Sequence, residues 1–316
     1  MQRAHASRSD RSRALTTSSP AAGRRSSRVL IALSFLAIYV IWGSTYLAIR
    51  YAIETIPPLL TAGFRHLMAG SILLAWGLVH GKRPTFAQWR ASLVLGFLFF
   101  LVGHGSLHWA EQSVPSGIAA LLIATEPIFL ALLIALTQTK RIPDKSTMAG
   151  LVLGLVGVAV LIKPDPVNPH GSLIGTLVVL VGSLSWSAGI VMSRRSRLAG
   201  DPLMMTTLSL LSGAAMLLLV SWLTGEVRGF HPADVSLRSL GGLLYLIVFG
   251  SLVAFTALNW LLERCSPTLV ITHSYVNPIV ALLLGWALAG ERIDLSVLLA
   301  AFLVVSAVVL VRHAEG

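Results

Sequence analysis

From Val29 to Arg312 the chain is a succession of apolar runs separated by short polar breaks. The runs cover 29–49, 59–79, 91–110, 114–137, 147–163, 172–192, 203–223, 239–261, 267–288 and 295–311. A helix rises about 1.5 Å per residue, so about 20 residues cross the hydrocarbon core of a bilayer. Most runs are near that length; the fifth and tenth are short. Lipid offers no hydrogen bonds to an open backbone, which leaves helices or closed barrels. No run alternates with period two over ten residues, as a barrel strand must. The fold expected is therefore all-α: a polytopic membrane protein with ten transmembrane helices. Charge agrees, since only 12% of the residues are Asp, Glu, Lys or Arg, against about 25% in soluble domains. The longest break, 224–238, has no room for a soluble catalytic domain.

The net charge is +11. In a soluble protein that would point to nucleic acid. Here it sorts by side: with the N-terminus inside, eighteen basic residues fall on the inner side and five on the outer. That bias places both termini in the cytoplasm and makes the number of spans even. It also removes nucleic acid as an expected partner. Residues 1–28 carry seven of the inner arginines and many serines, and read as a disordered basic cytoplasmic tail. Such a composition also describes an organellar transit peptide, which is the less favoured reading. The single cysteine, Cys265, leaves no intrachain disulfide and no Cys-based zinc or redox motif.

The two halves can be laid on each other. Residues 41–60 match 185–204 at an offset of 144, pairing Trp42 with Trp186 and Pro58 with Pro202. The offset then becomes 151. His108 pairs with Asn259, Trp109 with Trp260, Glu126 with Asn277 and Pro127 with Pro278. The repeats are expected at 29–163 and 172–312. Five spans in each half make the second enter the membrane upside down relative to the first. Inverted repeats give a scaffold two conformations of similar energy around a midplane site, the basis of alternating access.

The segment WGSTYLAIRYAIETIPPLLTAGFRHLMAGSILL near the start and SPTLVITHSYVNPIVALLLGWALAGERI near the end resemble the EamA family of the drug/metabolite transporter superfamily. The resemblance covers about 29–312. It implies two five-helix repeats and export of small metabolites or drugs through a central cavity. The chain departs from the family pattern in two places. The fourth run ends LTQTKRIP where members often carry a Gly-Glu-Arg run like Gly290–Glu291–Arg292. Glu126 stands where many members have an uncharged residue before the proline.

Ionisable side chains inside membrane spans are costly and mark function. Here they are Arg65, His66, His104, His108, Glu126 and His273. Glu126 reads as the one carboxylate deep in a span. It precedes Pro127, whose missing donor loosens the helix locally. It is the expected proton-coupling residue, and an ion pair with Arg65 is expected. His104 and His108 share a helical face, as do His273 and Asn277. No metal-ligand pattern joins these residues, so polar cavity lining is preferred to metal. Trp42 and Trp186 are candidate cavity walls for apolar or cationic solutes. Thr45, Asn259 and Tyr275 complete the candidate set.

The function expected is a secondary active transporter, an exporter of amino-acid-like metabolites or drugs, with protons as the coupling ion. It would work in the inner (plasma) membrane of a bacterium and need no cofactor. Its partners would be a small-molecule substrate and the lipid bilayer, with a homodimer left open. The alternatives are an intramembrane enzyme acting on lipid and a passive channel. Against the enzyme, the chain has neither HExxH nor a Walker A sequence. Against the channel, it has no charged rings.

Overall fold

A computed structural model describes residues 20–139, 145–161, 171–195, 201–262, 264–265, 270 and 272–315. Among them there are helices and turns but no β-strand. Seven helices are long and apolar enough to cross a membrane: Val29–Ala52, Pro58–Val79, Phe86–Ala110, Ser116–Gln138, Leu173–Ser193, Pro202–Leu223 and Leu237–Leu258. Three apolar helices are shorter: Lys145–Leu161, Val276–Ala289 and Leu295–Leu310. Large apolar side chains such as Val152, Leu155, Trp286 and Phe302 lie exposed on the outer faces. An apolar surface of that extent belongs in lipid. The protein is a polytopic, all-helical integral membrane protein.

The first helix, α1 (Pro20–Ala52), begins nine residues before the run expected from Val29. Proline is tolerated in the first turn, and no further proline follows before Val29, although Gly23, Ser26 and Ser27 are weak helix formers. Its apolar part is therefore extended by about two and a half polar turns. The remainder of the expected tail, 1–19, lies outside the described residues, as do 140–144 and the start of the ninth run at 267–269.

Local signals set the other boundaries. Helix α2 (Pro58–Val79) has Pro58 in its first turn. Helix α3 (Phe86–Leu95) opens on a capping box, with the Gln88 amide donating to Thr85 Oγ1 and the Thr85 amide to Gln88 Oε1. It continues as a π-helical segment, Gly96–His104, and then as α4 (Gly105–Ala110). The run 114–137 is broken. Helix α5 (Ser116–Ile123) stops at a turn over Ala124–Thr125, and α6 (Glu126–Ile134) restarts with Glu126 and Pro127 in its first turn. Helices α7 (Lys145–Leu161), α8 (Gly171–Arg195) and α9 (Pro202–Leu223) follow. Asp201 caps α9 by accepting from the Leu203 amide at 2.9 Å. Helix α10 (Leu237–Tyr245) passes into a second long π-helical segment, Leu246–Val253, and then α11 (Ala254–Leu262); a shorter π-helical stretch, Ala135–Thr139, follows α6. The chain ends in α12 (His273–Ala289) and α13 (Leu295–Glu315).

Helices from the two halves pair. Helix α2 packs along α9 and α7 along α13. Helix α1 lies against α12, α10 and α11, while α8 lies against α6 and the first π segment. The π segment at Gly96 meets α9 backbone to backbone. A Cβ placed on Gly96 would stand 2.7 Å from the Gly213 nitrogen, and one on Gly213 would stand 2.4 Å from Phe100 Cβ. Only glycine allows that approach. A core of Ile49, Leu121, Leu122, Val179, Leu246 and Ala281 closes one end of the bundle beside the cavity described next.

Candidate functional site

Between the halves lies a cavity of about 380 Å³. Trp42, Thr45 and Tyr46 of α1, Arg65 of α2, His104 of the first π segment and Glu126 of α6 line it from the first half. Trp186 of α8, Phe255 of α11, and His273 and Asn277 of α12 line it from the second. Two aromatic clusters face it. Trp42 meets Phe255 edge-on at 5.6 Å and His273 at 4.9 Å. Trp186 stacks on His104 at 5.1 Å and tilts against Phe99 at 4.7 Å.

The π segments explain part of this geometry. A π turn offsets the normal backbone ladder and leaves carbonyls open to other donors. Gly250 O, in the second segment, accepts from Trp42 Nε1 at 3.2 Å and from an Arg65 guanidinium nitrogen at 3.5 Å. Arg65 Nε also donates to Ser251 Oγ at 3.1 Å. Leu98 O, in the first segment, accepts from Ser185 Oγ at 2.9 Å. Each wide turn is thus tied to a helix of the other half.

This arrangement corrects one expectation. Arg65 does not pair with Glu126, because its guanidinium is committed to Gly250 and Ser251. Glu126 stands at the start of α6 with its carboxylate on the cavity. Its backbone carbonyl accepts from Ser187 Oγ at 3.0 Å, while its carboxylate meets no hydrogen-bond donor among the described residues. The broken helix aims its N-terminal amides toward this end, which favours negative charge there.

The histidines divide. His104 is on the cavity wall, and its Nδ1 shares a hydrogen bond with His66 Nε2 at 2.9 Å. His66 is fully buried behind it. His108 is fully buried one turn further along, with Nδ1 bonded to His104 O at 2.8 Å. His273 is on the wall against Trp42. Asn277 donates to His273 O at 3.0 Å and to Tyr39 O at 3.1 Å, so it ties α12 to α1 as well as lining the cavity. The side chains of Asn259 and Tyr275 lie outside the described residues. Among the described residues, no three His, Cys, Asp or Glu form a group able to hold a metal ion.

Sequence reading overlooked two sets of residues. Tyr46, one helical turn after Trp42, shares its face, and that spacing was a usable signal. Glu111 was not flagged and carried no usable signal. It follows the third apolar run and precedes Gln112 and Ser113, so it reads as loop, yet it is only 3% exposed. Glu126 is thus the one carboxylate deep in a span among the described residues, but not the one buried carboxylate. Nearby, Glu291 reaches from the loop after α12 to the start of α5. It accepts from the Ser116 amide and hydroxyl, both at 2.8 Å, and from the Gly117 amide at 3.0 Å. Arg50 approaches the same carboxylate at 3.5 Å.

The model of the EamA-like transporter family matches this chain twice, over residues 29–163 and 173–312. The chain belongs to the EamA-like transporter family. Among relatives, it is 38% identical to the uncharacterized inner membrane transporter YedA of Escherichia coli (strain K12), over 88% of this chain and 89% of that protein. It is 31% identical to the protein PecM of Dickeya dadantii, over 86% and 89%. It is 24% identical to a probable amino-acid metabolite efflux pump of Escherichia coli (strain K12), over 82% and 86%. A crystal structure superposes with a TM-score of 0.61 at 21% identity, covering 90% of this chain and 97% of that one, which establishes likeness of fold. The geometry gives the Gly290–Glu291 pair a physical role. Gly290 ends α12 in the left-handed region, at φ 65°, and turns Glu291 back onto α5.

Proposed function

We propose that this member of the family is a secondary active exporter working by alternating access between two inverted five-helix repeats. The observation that carries the proposal is the cavity between the halves, lined from both, with a free carboxylate on one wall and aromatic clusters on two sides. The pairing of helices supports the symmetry. If the ten apolar helices are numbered in order, a shift of five turns the packing of the first against the ninth and eighth into that of the sixth against the fourth and third. The second and seventh, and the fifth and tenth, are then their own mates. The two long π segments, Gly96–His104 and Leu246–Val253, fall on corresponding helices, whereas the short one at Ala135–Thr139 has no counterpart in His273–Ala289. The same reading puts both termini in the cytoplasm of a bacterial inner membrane, with Arg50 and Glu291 on the outer side.

The substrate class we favour is an amino-acid-like metabolite or an amphipathic drug. Glu126 offers a counter-charge to an amine, Arg65 presents positive charge across the cavity, and the Trp42 and Trp186 clusters suit an apolar side chain. A relative 24% identical bears the name of a probable amino-acid metabolite efflux pump, which accords with that class. We assign the coupling proton to Glu126.

Counterflow in proteoliposomes is the test. Trans substrate accelerates a carrier but not a channel, so labelled amino acids are loaded on one side and chased from the other. Product analysis of a labelled lipid tests for an enzyme in the same preparation. Glu126→Gln is expected to abolish concentrative transport driven by a pH gradient. If the variant concentrates substrate as wild type does, Glu126 carries no coupling proton.

A further inference from the structure

Buried polar atoms without partners are few in a folded protein, and each has to be explained. Among the described residues they are His66 Nδ1, His108 Nε2 and both carboxylate oxygens of Glu111. All four fall in one strip. His104 opens on the cavity and bonds His66. His108 is one turn beyond His104 on the same face, and Glu111 is three residues beyond His108. The strip therefore runs from the cavity wall to the end of the bundle where Arg50 and Glu291 meet.

We propose that Glu111 is a proton-binding site at the outer end of the cavity, connected to it through His108 and His104. The Glu111 carboxylate meets no donor in good hydrogen-bond geometry, only the nearby Arg50 amide, so it is poorly solvated by protein, and binding a proton removes the charge. Glu111 stands one residue beyond the span Phe86–Ala110. Burial pushes its carboxyl well above the usual carboxylate range; Glu291 adds to that, while Arg50 and Arg65 oppose it.

The groups around it come from every neighbouring element. Arg50 and Tyr46 belong to α1, Arg65 to α2, and Glu291 to the loop after α12. His108 is on its own helix. The described span of α8 that packs there, Leu173–Ser193, contains no ionisable residue. Tyr46 lies close enough to feel both Glu111 and Glu126, so two acid sites share one neighbour at opposite ends of the cavity wall. Glu291 is already bound by three donors and Arg50. Glu111 is the acid at this end with no donor in good hydrogen-bond geometry. Parting α5 from Glu291 would free Arg50 for Glu111, and Glu111 would then release its proton to the outside. This transport role rests on the exporter reading; the proton binding does not.

Infrared difference spectroscopy of the purified protein across a pH titration reads the site directly and needs no substrate. Glu126→Gln removes the cavity carboxyl. That variant should still show a titrating C=O stretch of a protonated carboxylic acid, and the further change Glu111→Gln should abolish it. No such band in the Glu126→Gln protein, or a band that survives in the double variant, overturns the proposal. Glu111→Asp in an otherwise wild-type chain guards against misfolding of these variants: it should shift one carboxyl band and leave another in place, and two unmoved bands overturn the assignment. His108→Phe should move the frequency or midpoint of the Glu111 band. If neither moves, the connection through the histidines is wrong.

Discussion

Glu291→Ala should destabilise the protein far more than its place in a loop implies. Its carboxylate is 7% exposed and holds the N-terminus of α5 through two amides and a hydroxyl. Hydrogen bonds to a charged group are each worth about 1.5–3 kcal/mol net, and an orphaned buried donor costs about 1–3 kcal/mol. Water entering the space left by the side chain recovers part of this. A net loss of about 3 kcal/mol is expected, roughly a hundredfold in the unfolding equilibrium. Arg50 contributes little, since its side chain is 38% exposed and stands at 3.5 Å. Exposed pairs are worth at most about 1 kcal/mol. The assay is reversible unfolding in mixed micelles of mild detergent and dodecyl sulfate, followed by tryptophan fluorescence and circular dichroism. Glu291→Gln keeps one acceptor oxygen and should lose about half as much as Glu291→Ala. If Arg50→Gln costs as much as Glu291→Ala, or if Glu291→Ala costs less than about 1 kcal/mol, the carboxylate is not acting as a helix cap.

Three further outcomes follow from the same structure. Gly213→Ala should cost about 1–3 kcal/mol in that assay, because its new methyl would meet Phe100 Cβ at 2.4 Å and the helices would have to part. Gly290→Ala should cost about 1–2 kcal/mol, since a Cβ there meets nothing and the loss is that of the left-handed conformation alone; Gly290→Asn should cost less. At Asp201 burial works to raise the carboxyl, but hydrogen bonds from Lys82 and the Leu203 amide outweigh it and hold the group below its ordinary value of 3.8. A depressed carboxyl contributes stability that is full above the unfolded value and fades as pH falls through the lower folded one. The stability difference between wild type and Asp201→Asn should therefore be flat from about pH 8 to 5 and shrink only in stronger acid.

The membrane helices were legible because lipid imposes a length on every apolar run. Most of the cavity wall was legible for a related reason: a charged or polar group costs so much at that depth that Arg65, His104, Glu126 and His273 stand out in any apolar run. Direction was not legible. Arg65 was expected at Glu126 and turns instead to Gly250 and Ser251, because a π segment opens a carbonyl there. Apolar periodicity does not distinguish a π turn from an α turn. Glu111 escaped for the opposite reason. It ends an apolar run among polar neighbours, and only the packing of helices distant in sequence buries it.

The helix starts of the first half have a consequence for synthesis. The amides of Leu59 and Leu60 at the start of α2 donate to Glu226, and those of Ser116 and Gly117 at the start of α5 donate to Glu291. Both acids belong to the second half. A ribosome making this chain delivers α2 and α5 into the membrane long before it reaches their caps. Until residue 226 and then residue 291 emerge, two helices of the first half must leave those amides to water or headgroups. The nascent first half is an unfinished object that the second half completes.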